Sequence, residues 1–180
     1  MNDFTTGAVI DTDGYRRNVA IVLCNSQAQV LWARRSRHDG WQFPQGGVEH
    51  NETVEDAVYR ELFEEVGLLS RHVRMMGRTR TWFYYDVPAD YYHTRDVHFR
   101  GQKQMWFLFQ MLANDSDICL NTVAKPEFDL WKWVNYWTPV RQIIPFKRKV
   151  YRSALTELEP LTLQLVNLSQ SEGILLPDGK

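Results

Sequence analysis

Little in this sequence points to a membrane, a secreted scaffold or a nucleic-acid coat. No apolar run approaches the roughly 18 residues that a bilayer span requires. The opening Met1-Asn2-Asp3-Phe4 lacks the basic, then apolar, then small-residue order of a secretory signal, so a cytoplasmic protein with no membrane partner is expected. Cysteine is scarce: Cys24 and Cys119 are the two present, and neither has a CxxC neighbour. That spacing gives no support to structural zinc. Both lie in short apolar runs that read as strands, where a small buried hydrophobe is expected ahead of a disulfide or a metal pair. The net charge of −1 excludes a protein that coats nucleic acid along its length. Internal repeats and low-complexity linkers are also missing.

What is present suits one domain with a genuine core: 180 residues, 44% of them hydrophobic, with seven tryptophans. The charges are segregated rather than mixed. Seven acids fall between Glu49 and Glu65, while Lys147-Arg148-Lys149 and Arg34-Arg35 with Arg37 are basic clusters. Each cluster alone would read as a solvated face. Together they suit an acidic metal pocket that receives a polyanion.

Residues 18–24 (NVAIVLC) and 30–33 are apolar and flank a polar stretch, the pattern of a hairpin. Residues 37–40 read as a polar loop and 41–47 (WQFPQGG) as a loop with two consecutive glycines. A helix is predicted next, with Asn51 as N-cap and Glu52 and Glu55 in its first turn. Val54, Val58, Leu62 and Val66 form its buried stripe, and Gly67 is its stop. Further strands are predicted near 82–87, 104–112 and 130–134. After Pro145 a second amphipathic helix places Val150, Ala154, Leu155 and Leu158 on one face. Its pattern fades beyond Pro160, so the domain is expected to span residues 11–160, with 161–180 as a flexible tail. Strands interleaved with two main helices imply a mixed α/β layered fold.

The chemistry centres on the first helix. Glu61, Glu64 and Glu65 stand at i, i+3 and i+4, so their carboxylates share one face. Taken alone, such a triplet is explained more readily by a solvated face than by a Mg²⁺ or Mn²⁺ site. The surroundings decide between them: Gly46, five residues, Glu52, seven residues, then Arg60-Glu61-Leu62-Phe63-Glu64-Glu65-Val66-Gly67-Leu68. Nine fixed positions would arise by chance on the order of once in ten million chains of this length.

This pattern is identified as the signature of the Nudix hydrolases, metal-dependent enzymes that cleave phosphoanhydride bonds. The resemblance implies a Nudix fold, a mixed β-sheet sandwiched between helices (α/β/α). It implies that Glu61, Glu64 and Glu65 hold divalent ions, Mg²⁺ or Mn²⁺, and that the Gly46 carbonyl faces a metal. Gly46 would permit an unusual backbone conformation and close approach. Glu52 and Arg60 would pair as structural members of the box.

Other blocks resemble the bacterial RNA pyrophosphohydrolases: residues 13–19 (DGYRRNV), 41–47, 101–104 (GQKQ), Trp106-Phe107, Pro126-Glu127-Phe128-Asp129, and stretches between Tyr136 and Arg148. Coverage runs from about Asp11 to Arg152. Arg17 and Ala20 depart from the proline and glycine frequent there, but neither is a proposed ligand. By this resemblance Glu127 reaches the metal site as ligand or general base, and Glu65 and Glu127 are the catalytic carboxylates. Arg16 and Phe146 would flank a base near the 5′ end, and Arg35 and Lys147 would meet phosphates. From pattern alone, Phe146 fits a core position equally well, and Arg16 fits a surface arginine. The implied substrate is single-stranded 5′-triphosphorylated RNA, cut to a 5′-monophosphate as a step toward mRNA decay. A dinucleoside polyphosphate hydrolase is the alternative, and the insertion at 84–100 could serve either. A non-catalytic nucleotide sensor should have lost acids from the box, and none is missing.

Overall fold

The computed structural model describes residues 9–91 and 99–172. Much of the 84–100 insertion, residues 92–98, lies outside the described residues, as do the N-terminal residues 1–8 and the end of the expected tail, residues 173–180.

Strand β1 (Tyr15–Cys24) runs parallel to β7 (Gly101–Met111) through ten paired positions, from Tyr15 opposite Gly101 to Cys24 opposite Gln110. This pair is the spine of the sheet. Strand β5 (Val73–Arg78) and strand β6 (Phe83–Asp86) add antiparallel to β7. On the other side, β2 (Val30–Arg35) meets β1 where Val30 pairs with Cys24, then diverges to pair with β3 (Trp41–Gln42) and β8 (Phe128–Val134). Strand β4 (Gln45–Gly47) enters the resulting gap and pairs with β1 through Asn18, Val19 and Ala20. The site is built where the sheet splays apart.

Both faces of the sheet are covered. Val19, Ile21 and Leu23 of β1, with Met105, Phe107 and Phe109 of β7, pack against Ala57, Val58, Leu62 and Val66 of helix α1 (Val54–Val66). The opposite parity, Ala20, Val22, Trp106 and Leu108, meets Val150, Tyr151, Ala154, Leu155 and Leu158 of the C-terminal helix. A strand buried on both faces reads as a continuous apolar run, which explains NVAIVLC. The architecture is thus a mixed sheet between helices. A short helix α2 (Thr138–Gln142) and a 3₁₀ turn (Pro145–Lys147) lead into helix α3 (Arg148–Glu172).

The details correct several sequence expectations. Thr53, not Asn51, caps α1, its hydroxyl accepting the Asp56 N–H at 3.0 Å, while Asn51 takes a positive φ of 65° in the preceding turn. Gly67 stops the helix as expected, left-handed at φ 73° and donating its N–H to the Phe63 carbonyl. Residues 41–47 carry two short strands instead of a plain loop. The last helix does not end near Pro160. It continues to Glu172 because Leu161 packs against the same core as Leu158, and proline removes only one helical N–H donor. Cys24 is buried, with its thiol pushed up to about 12 by burial, but Cys119 is exposed in the 112–127 connection rather than in a strand. Among the described residues no helix is long and apolar enough to cross a membrane.

Candidate active site

The capped end of α1 and its stripe orient the acids. Val58, Leu62 and Val66 are fully buried, so the neighbouring helical positions 61 and 65 lie along β4, with 8% of each residue exposed. Gly46 makes this possible by close approach alone: its backbone is not in the left-handed region, but a Cβ there would fall 1.8 Å from the Glu61 carboxyl carbon. Any larger residue would evict Glu61.

Arg60 organises the outer side. It grips Glu52 with two parallel bonds of 2.8 and 2.9 Å, donates to the Gly47 carbonyl at 2.8 Å, and reaches Glu61 at 2.6 Å and Glu64 at 3.3 Å. Glu52 in turn accepts the Glu49 N–H at 2.9 Å. The pair therefore ties the glycine loop to the helix, as the spacing implied. Glu65 points inward and accepts the Gln45 N–H at 2.8 Å.

Burial pushes the Glu61 carboxyl up to about 7, with Glu64 adding to the rise and Arg60 opposing it. Glu65 is raised well above the usual carboxylate range, first by burial and then by the charges of Glu61, Glu127 and Glu64. The structure thus brings Glu61, Glu64 and Glu127 into electrostatic reach of Glu65. Each also has a protein partner, and among the described residues no three acidic, imidazole or thiol side chains form a ready-made metal cage. Oxygen-rich, partly buried and close to cations, this donor set fits a hard divalent ion that keeps water ligands better than one enclosed by protein alone.

Cations frame the other side. Arg35 at the end of β2 pairs with Glu127 at 3.1 Å. Lys147 is buried, 3.5 Å from the Gln42 side-chain oxygen, with its ammonium 5.4 Å from the centre of the Tyr85 ring. Burial and the nearby Arg35 pull its pKa down to about 7, against the attraction of Glu127 and Glu65. Arg16 on β1 is lowered by burial and held charged by Glu61 and Tyr85. Phe146 is half-buried and contacts the rings of Tyr85 at 5.9 Å and Tyr91 at 5.0 Å. All the predicted site residues therefore stand around the splayed sheet. A separate groove of about 540 Å³ flanks the Glu127 loop, between Ser36 and Arg37 on one side and Lys125 and Asp129 on the other.

Sequence reasoning missed the polar floor. Gln104, fully buried, donates to Asn18 at 2.8 Å and to the Gln45 side chain at 3.2 Å, and Tyr85 donates to Gln102 at 2.6 Å. The signal was the glutamines two apart in GQKQ, which alternation places on one face of β7.

With this geometry, the NUDIX domain family pattern matches residues 14–154. The chain belongs to the Nudix family. Two relatives refine the placement, and both are named RNA pyrophosphohydrolase. Those of Klebsiella pneumoniae (strain 342) and Erwinia tasmaniensis are each 52% identical over 159 residues, covering 87% of this chain and 90% of theirs. This Nudix chain is therefore a member of the RNA pyrophosphohydrolase group, and a hydrolase. Solved structures share the fold at lower identity. The C. elegans Ap4A hydrolase binary complex aligns with a TM-score of 0.61 at 17% identity, covering 82% of this chain and 98% of that one. The E. coli dihydroneopterin triphosphate pyrophosphohydrolase aligns at 0.63 and 18%, covering 76% and 92%. Nudix hydrolases use divalent metal ions, in keeping with the donor set here.

Proposed function

We propose that this Nudix hydrolase removes pyrophosphate, or successive phosphates, from the 5′-triphosphate end of single-stranded RNA in the cytoplasm, leaving a 5′-monophosphate. The observation that carries the reading is the 52% identity to RNA pyrophosphohydrolases across nearly the whole of both chains. The site supports it. Glu61, Glu64, Glu65, Glu127 and the Gly46 carbonyl would hold Mg²⁺, with Mn²⁺ as a substitute. When bound, the ions neutralise the polyphosphate and lower the pKa of the attacking water.

The remaining work falls to side chains. Arg35 and Lys147 receive the phosphates, and arriving anions restore the charge that burial costs Lys147. Glu127 accepts the proton of the attacking water as its oxygen bonds to phosphorus and the phosphoanhydride P–O bond breaks. Arg16 and Phe146 present a guanidinium and a ring to an unpaired base. Glu52 and Arg60 hold the loop and take no part in the chemistry.

The fold shared with an Ap4A hydrolase at 17% identity speaks to architecture alone. A direct competition tests the substrate. Purified protein with Mg²⁺ is expected to show a higher kcat/KM on 5′-triphosphorylated RNA than on diadenosine tetraphosphate. The opposite order would overturn the reading.

A further inference from the structure

Glu127 lies at the end of a long connection, yet its proposed role demands a fixed aim. Strand β8 supplies that aim through an irregularity. Arg34 pairs with Leu130, but Arg35 pairs with Phe128, so Asp129 is an extra residue in the ladder. Above this bulge Trp133 and Trp131 pack against the α1-side core. Below it Phe128 takes that place, fully buried, while Asp129 stays exposed. In a regular strand, residues 133, 131, 129 and 127 would share one face, and Glu127 would be directed at the core. The bulge turns it instead toward Arg35, Lys147 and Glu65.

Two contacts hold the bulge. Arg34 pairs with the extra residue, Asp129, at 2.8 Å. Ser36 then grips both peptides around the Glu127 Cα: its N–H donates to the Glu127 carbonyl at 2.8 Å, and its hydroxyl donates to the Pro126 carbonyl at 2.6 Å. The backbone on either side of Glu127 is thereby anchored to the residue that follows Arg35. We infer that Ser36 is a positioning residue, which fixes the Glu127 backbone and so aims its carboxylate into the site. This rests on the proposed role of Glu127.

The test is kcat and KM on triphosphorylated RNA for Ser36→Ala and Ser36→Thr, each alone and combined with Glu127→Gln, with thermal melting as a check on folding. Loss of one hydrogen bond to the aim of a reacting group is expected to lower kcat by roughly fivefold to tenfold, with KM little changed. Ser36→Thr, which keeps the hydroxyl, restores kcat. In the Glu127→Gln background Ser36→Ala is expected to cause no further loss, since the group it aims is already gone. Full kcat in Ser36→Ala, or the same fractional loss in both backgrounds, overturns the inference while leaving the role of Glu127 intact. Wild-type kcat in Glu127→Gln overturns that role itself, and the inference with it.

Discussion

Two arginine–glutamate pairs frame the site, and they differ in kind. Arg60 and Glu52 make a two-pronged contact, with side-chain exposures of 24% and 14%, and Arg60 also serves Gly47, Glu61 and Glu64. Arg35 and Glu127 share one bond of 3.1 Å at 22% and 33% exposure. The first pair is enmeshed in several simultaneous bonds, so releasing either partner strands others. The second is a single contact between partly exposed side chains, so its loss strands fewer partners. Under the proposed roles, the same chemical pair serves as architecture in one place and as exchangeable machinery in the other.

The largest effect expected is at the inner edge of the acidic face. Glu65→Gln keeps size and helix propensity but removes a carboxylate that can ionise to hold a metal. Turnover is expected to fall at least ~100-fold with the fold intact. Near wild-type turnover in saturating Mg²⁺ would remove Glu65 from the catalytic set. Arg35→Ala sharpens the contrast from the exchangeable side. It should lower kcat/KM on both triphosphorylated RNA and GTP, and flatten the salt dependence of each, because the lost contact is to phosphate. An unchanged salt slope would count against it.

A smaller and more selective effect is expected at Phe146. Phe146→Ala should lower kcat/KM roughly tenfold on a triphosphorylated dinucleotide and far less on GTP, since a free nucleotide has no second base to stack. The same factor on both substrates would make its contacts with Tyr85 and Tyr91 packing alone.

A separate effect is expected on stability rather than on turnover. Lys147 has a folded-state pKa of about 7 against an ordinary 10.5, so between those values the unfolded chain binds more protons than the folded one. The burial penalty is therefore full below about pH 7, and stability rises with pH through the window to 10.5. In the metal-free protein, Lys147→Met should melt higher at pH 7 and reduce that slope. An identical slope would mean that Lys147 is solvated in the fold.

Much of this was legible in the sequence, and the losses have physical causes. The stripe of Val58, Leu62 and Val66, the stop at Gly67 and the Glu52–Arg60 tie follow from helical periodicity and spacing, which are local. The parallel pairing of β1 with β7 joins segments about 85 residues apart, and no local pattern encodes a partner. Strand β5 escaped notice because VRMMGR is neither alternating nor rich in β-branched residues. Asn51 and Thr53 are both good caps, and only the turn geometry separates them. At Pro160 tertiary packing outweighs a local breaker. Among site residues, Glu61, Glu64 and Glu65 stood out by the spacing of the box and Glu127 through the resemblance, whereas Gln104, Tyr85 and Ser36 make contacts across the sheet that no local pattern encodes.

The most direct test sets the two glutamates of the compared pairs side by side. Glu52→Gln and Glu127→Gln are assayed for kcat on triphosphorylated RNA in saturating Mg²⁺, and for thermal melting. Glu127→Gln is expected to lose at least ~100-fold in kcat while melting like the wild type. Glu52→Gln is expected to lower the melting temperature by on the order of 5 °C and to keep more of its turnover. Wild-type kcat in Glu127→Gln, or an equal loss of turnover in Glu52→Gln with melting unchanged, would contradict the division between architecture and chemistry.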